Sequence, residues 1–149
     1  MNHSVAYDLV FLVHLLAAVA TILVFVVMRV SAQAIVRGAS DEEQRRKFPP
    51  RRNWAARALH LLVLSGLTMT FLGDSSVSLA RPWVGLGLLC YLAAAGHLEA
   101  RTLPLERTVA DVIAHDGHAS AERGRQLVRS MDVLLALLAV ALLAMVTKF

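Results

Sequence analysis

Cysteine is all but missing from this 149-residue chain. A single one, Cys90, occurs, and it lies inside an apolar run. An internal disulfide is therefore impossible, and a zinc or iron–sulfur site built of several thiolates is excluded. Aromatic residues make up only 6% of the chain. Catalytic signatures are missing too: there is no nucleophile–base constellation, no glycine-rich phosphate loop after a strand and no HExxH. Histidine-bound redox chemistry is the only enzymatic chemistry these residues offer. Internal repeats and low-complexity tracts are absent. Met1–Asp8 also lacks Lys and Arg. A cleaved secretory signal begins with a basic segment and has a short apolar stretch, so the first apolar run reads as a retained helix.

Apolar residues, by contrast, are abundant. They form 57% of the sequence, mean hydropathy is +0.59, and the excess is gathered into four runs. Leu9–Met28 holds 20 residues without a charge, and Ala58–Gly73, Pro82–Leu98 and Val133–Thr147 follow. A helix needs roughly 17–25 residues to cross the hydrocarbon of a bilayer. The first run meets this alone. The others meet it with flanking residues, whose long basic side chains (Arg57, Arg129, Lys148) can reach back to the interface. The expected fold is all-α: one polytopic membrane domain, a bundle of four transmembrane helices. The spans fall at about 7–30, 54–73, 82–100 and 129–148, with inner loops at 31–53 and 101–128. Trp54 and Trp83 stand at run edges, where an aromatic belt puts them.

Charge sets the orientation. Of the 15 basic residues, 13 lie between Arg29 and Arg57 or between Arg101 and Arg129, leaving only Arg81 and Lys148 on the opposite side. Short loops rich in Lys and Arg stay in the cytoplasm. Both termini are then outside, and the protein is expected in the inner membrane, with the bilayer as its first partner. The pI of about 10.0 has this explanation, so no nucleic-acid partner is expected. Within the first inner loop, helix one is expected to run on to a C-cap at Gly38. Ser40, followed by Asp41, Glu42 and Glu43, opens a short helix that ends before Pro49 and Pro50. Pro82 suits a first helical turn. Leu105–Ala114 is mildly amphipathic and is expected to lie on the inner leaflet. His115–His118 reads as a turn, and a helix from Ser120 leads into the fourth span.

Polar side chains inside the apolar runs carry the chemistry, because each is expensive there. His14, His60 and His97 qualify. His14 shares a helix face with Ala17, Ala18 and Thr21, a small face suited to close packing. His60 and His97 occupy similar depths near the inner side, in a layer with Arg57, Glu99, Arg101 and Asp132. Two imidazoles from facing helices are the usual way a bundle holds haem b. The same residues suit copper, with Cys90 or Met69 as a soft extra ligand. His14 with His60, or His60 with His97, are both open as pairs. Each of the three also reads simply as a hydrogen-bonding residue between helices.

The segments Val13–Ala18, Ala58–Leu61, Leu64–Met69 and Met145–Phe149 are similar to those of small four-helix bacterial membrane proteins of unknown function. Those proteins stand near the CopD copper-resistance domain and the HemJ-type protoporphyrinogen oxidases. The resemblance implies haem or copper at the helix-one and helix-two histidines, His14 and His60. Two features differ: Val19–Phe25 has neither Trp nor Gly, and the third helix has no Lys. Electron transfer or redox sensing is the function expected first. The alternatives are an accessory or assembly subunit of a larger membrane complex, and a small transporter; a homo-oligomer is compatible with each.

Overall fold

The computed structural model describes residues 5–49, 54–73 and 78–148, with the backbone alone at 54–56. It is all-helical, without strands among the described residues. Helix α1 covers Val5–Val36, α2 Asp41–Lys47, α3 Trp54–Leu72 and α4 Pro82–His97. A π-helical turn, Leu98–Thr102, joins α4 to α5 (Leu103–Asp116), and α6 is Ala121–Thr147. The Trp54 side chain, Pro50–Asn53 and Asp74–Val77 lie outside the described residues, and with them the Trp54 belt position and part of the outer turn.

Three helical rods are long and apolar enough to cross a membrane: Val5–Val36, Pro82–Asp116 and Ala121–Thr147. At 1.5 Å per residue they run about 48, 52 and 40 Å, well past a hydrocarbon layer of roughly 30 Å. Their surfaces match that use. Leu9, Leu16 and Leu23 on α1, Leu89 and Leu92 on α4, and Leu143 and Val146 on α6 are all exposed. So large an apolar surface is foreign to a water-soluble monomer. Helix α3, with 19 residues, is the shorter fourth apolar helix, and it exposes Leu64 and Phe71.

The first turn of α1, the last of α3, the first of α4 and the last of α6 gather at one end of the molecule, since Tyr7, Thr70, Trp83 and Lys148 border one cavity. The long rods project together at the other end, the loop end, where the close-packed core lies. Phe25, Met28 and Ile35 from α1 meet Leu98, Val109 and Ile113 from the α4–α5 rod and Leu127, Met131 and Leu134 from α6. Helix α1 packs along both α3 and α6, and α4 packs along α6, whereas α3 and α4 touch only sparsely.

Local signals explain the joints. Gly38 sits at φ +75°, with Gly38 N–H on Ile35 O and Ala39 N–H on Ala34 O, the Schellman pattern that closes α1. The Ser40 and Ser120 hydroxyls accept from Glu43 N–H and Arg123 N–H and so cap α2 and α6. Lys47 donates to Glu43 at 2.7 Å, which holds the Glu43 carboxyl below its ordinary value. Buried Gln44 ties α2 to the rest: its amide donates to Ala39 O and its carbonyl accepts from Ala119 N–H. Gly117, at φ +87°, leaves no room for a side chain, because a Cβ there would stand 2.9 Å from Asp41 Oδ2.

One expectation is corrected. Leu105–Ala114 does not present its apolar face to a lipid surface. Val109 and Ile113 are 0% and 1% exposed, packed into the protein core. Asp132 pairs with Arg29 of α1 at 2.5 Å. Both partners of that pair are more than a third exposed, so its contribution is small.

The π-turn has an identifiable cause and effect. Pro104 lacks an N–H, and in α-geometry its ring would strike the carbonyl of Ala100. Widening the preceding turn relieves this, and Leu103 N–H reaches back five residues to Leu98 O. The extra residue turns the rod by roughly 100° at 3.6 residues per turn. Upstream, the buried stripe is Gly87, Cys90, Ala94 and Leu98; downstream it is Leu103, Glu106, Val109 and Ile113. On a straight helix these stripes would face different ways. The π-turn brings both onto the same core.

Helix crossings rest on small residues. At Gly124 an added Cβ would lie 3.0 Å from Val36 Cγ2 and 3.1 Å from Ile35 Cβ, whereas at Gly96 it would meet nothing within 4 Å. Gly→Ala in a helix interior gains about 1 kcal/mol of propensity, against about 1–3 kcal/mol for overpacking. Gly124→Ala is therefore expected to lower stability and Gly96→Ala to raise it slightly, as measured by denaturation in detergent micelles. Equal effects at the two positions would contradict the crossing described.

Candidate functional site

Where α3 and α4 part, a half-enclosed cleft of about 230 Å³ opens, backed by α1 and α6. Its walls are almost wholly apolar, with Phe11, Leu59, Leu67 and Leu88 among them. One histidine, His14, lines it, together with the thioethers Met69 and Met145 and the thiol Cys90.

The sequence seats His14 by removing a side chain opposite it. A Cβ on Gly66 would lie 3.0 Å from His14 Cε1, so the glycine admits the imidazole against α3. There His14 Nδ1 stands 2.9 Å from Leu62 O and 3.1 Å from Ser65 Oγ. A carbonyl oxygen only accepts, and the Ser65 hydroxyl already donates to Leu61 O and Leu62 O. Nδ1 therefore carries the proton and donates to both. In the neutral ring this leaves a lone pair on Nε2, in a residue that lines the apolar cleft. A backbone carbonyl holding one ring nitrogen so that the other is presented bare is the arrangement that orients metal-ligating histidines. A matching device occurs on α4, where a Cβ at Gly87 would stand 3.2 Å from Met145 Cε. Two helix glycines thus receive His14 from α1 and Met145 from α6.

The other two histidines are placed elsewhere. His60 is exposed and meets the edge of Tyr91, ring centroids 6.2 Å apart at 88°. Tyr91 borders the cleft; His60 does not. His97 is half-buried at the far end of α4, its Nε2 3.0 Å from Ser130 Oγ, which lies 2.7 Å from Thr102 Oγ1. That chain of polar groups bridges the π-turn to α6 and engages His97 Nε2. Of the three histidines, His14 alone lines the cleft. Among the described residues, no three His, Cys, Asp or Glu side chains gather as a metal cluster. Instead, His14 shares its cleft with the soft donors Met69 and Cys90. Met145 completes that set without any sequence signal, since nothing in the fourth run marks it as facing Gly87.

Chemically, the cleft offers an imidazole whose free nitrogen would accept a hydrogen bond or ligate a metal, together with sulfur donors in apolar walls. No family model matches the chain, nor does any curated protein or solved structure.

Nitrogen NMR of histidine-labelled protein in micelles is expected to find His14 protonated at Nδ1. Gly66→Ala, which forces the ring off Leu62, is expected to disturb that resonance and leave His97 unchanged. A His14 ring protonated at Nε2 would refute the geometry.

Proposed function

We propose that the chain is a four-span protein of the inner membrane that holds a metal-centred ligand, haem b or copper, at His14 Nε2 for electron transfer or redox sensing. The observation that carries this reading is the His14 imidazole, held at Nδ1 by Leu62 O in a residue that lines an apolar cleft. Soft thioether and thiol donors in the same cleft suit copper(I). The sparse contact of α3 with α4 suits haem, because a flat ring entering from the side keeps its far edge in lipid. Pockets that enclose a drug-sized ligand measure roughly 300–1,000 Å³. A cleft of about 230 Å³ would therefore cover only part of a macrocycle.

For the fourth span, support comes from α3 itself. Its 19 residues measure about 28 Å at 1.5 Å per residue, close to the thickness of the hydrocarbon. An even number of crossings puts both termini on one side, and the basic loops place that side outside. His60 and His97 act on the ligand only indirectly in this reading, His97 being engaged by Ser130.

Purified protein expressed with ample haem or copper is expected to show a Soret band or stoichiometric bound copper. His14→Ala should lose it, and His60→Ala and His97→Ala should keep it. Protein that shows neither signal would sink the reading. Orientation is tested separately by fusing reporters to the C-terminus: a phosphatase that works only outside should be active and a fluorescent protein that folds only inside should be dark. The opposite pattern would reverse the topology.

A further inference from the structure

Two cations stand where apolar helix surface gives way to the loop end. Arg101, in the π-turn, and Arg129, on α6, are both exposed. Neither forms an ion pair among the described residues. The residues that follow them bring them to one place, since Thr102 Oγ1 and Ser130 Oγ lie 2.7 Å apart. Residues 102 and 130 therefore face each other at one depth. The two rods run in opposite directions, because the start of α4 and the end of α6 gather at the cleft end. One residue back along a helix is a turn of about 100°, and in an antiparallel pair it swings both side chains to the same side. Arg101 and Arg129 thus flank the α4–α6 seam on one face. The neighbouring carboxylates are engaged or turned away. Asp132 pairs with Arg29 and Glu122 with Arg125. Glu99, though exposed, precedes Arg101 by two residues and so lies about half a turn away round the helix.

Depth and the adjoining surface point to one kind of partner. From Arg81 to Arg101 and from Lys148 to Arg129 the helices rise about 30 Å and about 28 Å at 1.5 Å per residue. A hydrocarbon layer is roughly 30 Å thick, so the two arginines fall at headgroup level. Apolar surface leads away from them. Val133, Ala136 and Val140 follow Arg129 at helical spacing on one face of α6, all exposed. On α4, Leu89, Ala93 and Gly96 are exposed, and a Cβ on Gly96 would meet nothing within 4 Å. A guanidinium meets a phosphate through two parallel N–H donors. We infer that the α4–α6 seam binds an acidic phospholipid. Arg101 and Arg129 hold its phosphate, and its acyl chains lie along the apolar face that continues from them. This site is separate from the cleft at His14 and stands whether or not a metal is bound there.

The test titrates the full-length protein in neutral detergent with phosphatidylglycerol, phosphatidylcholine and glycerol phosphate, counting bound molecules by native mass spectrometry. Phosphatidylglycerol is expected to bind saturably. Phosphatidylcholine should bind more weakly, because its choline offsets the phosphate, and glycerol phosphate, without acyl chains, should not bind measurably. A basic residue near an anionic lipid surface is worth a factor of about five. Arg101→Gln and Arg129→Gln should therefore each weaken phosphatidylglycerol binding about fivefold, and Arg101→Lys and Arg129→Lys should keep most of it. Arg107→Gln, which removes an exposed cation of α5, should leave it unchanged. Equal binding of the two lipids would overturn the site, as would binding indifferent to both glutamine substitutions. An equal loss with Arg107→Gln would show diffuse charge attraction in place of a site. Tight binding of glycerol phosphate would show a free-phosphate site and overturn the lipid. None of these outcomes bears on a metal at His14, which the haem and copper measurements decide.

Discussion

In hydrocarbon, a polar group without an internal partner has no water to turn to. The rest of this structure depends on that constraint. Along the apolar helices, hydroxyls return to the backbone of their own helix: Thr21 to Ala17 O, Ser31 to Val27 O, Thr68 to Leu64 O and Thr147 to Leu143 O. Polar groups that do cross between helices come in short closed sets, such as His14 with Leu62 and Ser65, or His97 with Ser130 and Thr102. No buried side-chain nitrogen or oxygen among the described residues lacks a partner. His14 is notable against that background, because it lines a cleft instead of being sealed in the bundle.

Lipid also removes the usual reason for helices to associate, since tails are as apolar as leucine. Close approach must do the work, and α1 shows how. Ala17, Thr21 and Ala32 are buried on it while leucines and valines crowd its outer face. Gly124 lets α6 come up against Ile35 and Val36. The rods are longer than a hydrocarbon layer is thick, and where such a rod extends into water, burial becomes favourable again. The larger side chains of the core gather at the loop end, held under α2 by Gln44. The two ends thus differ in kind: one close-packed and closed, the other parted between α3 and α4. A ligand site fits the second, where little packing is lost by keeping the helices apart.

The π-turn links the two ends. By adding one residue at Leu98–Thr102 it lets one rod face α6 along α4 and the α1–α6 core along α5. It also brings Thr102 within reach of Ser130, and through Ser130 of His97. A straight helix would leave one of these faces misaligned.

Much was legible in the residues themselves. Helix existence, the Gly38 stop, the Ser40 and Ser120 caps and the Pro82 start follow from local chemistry: chain length against bilayer thickness, backbone freedom of glycine, and hydrogen bonds spanning three or four residues. Local chemistry does not reach across helices. That Asp132 meets Arg29, that His97 is engaged by Ser130, that His60 turns to Tyr91, and that Met145 comes up against Gly87 all depend on which helix faces which and at what rotation. A single extra residue before Pro104 changes that rotation by about a quarter turn. Sequence by itself determined that these helices form and where they end. Only the tertiary structure decided which side chains share the cleft, because contacts between rods are set by packing, and packing has no signature along one strand of chain.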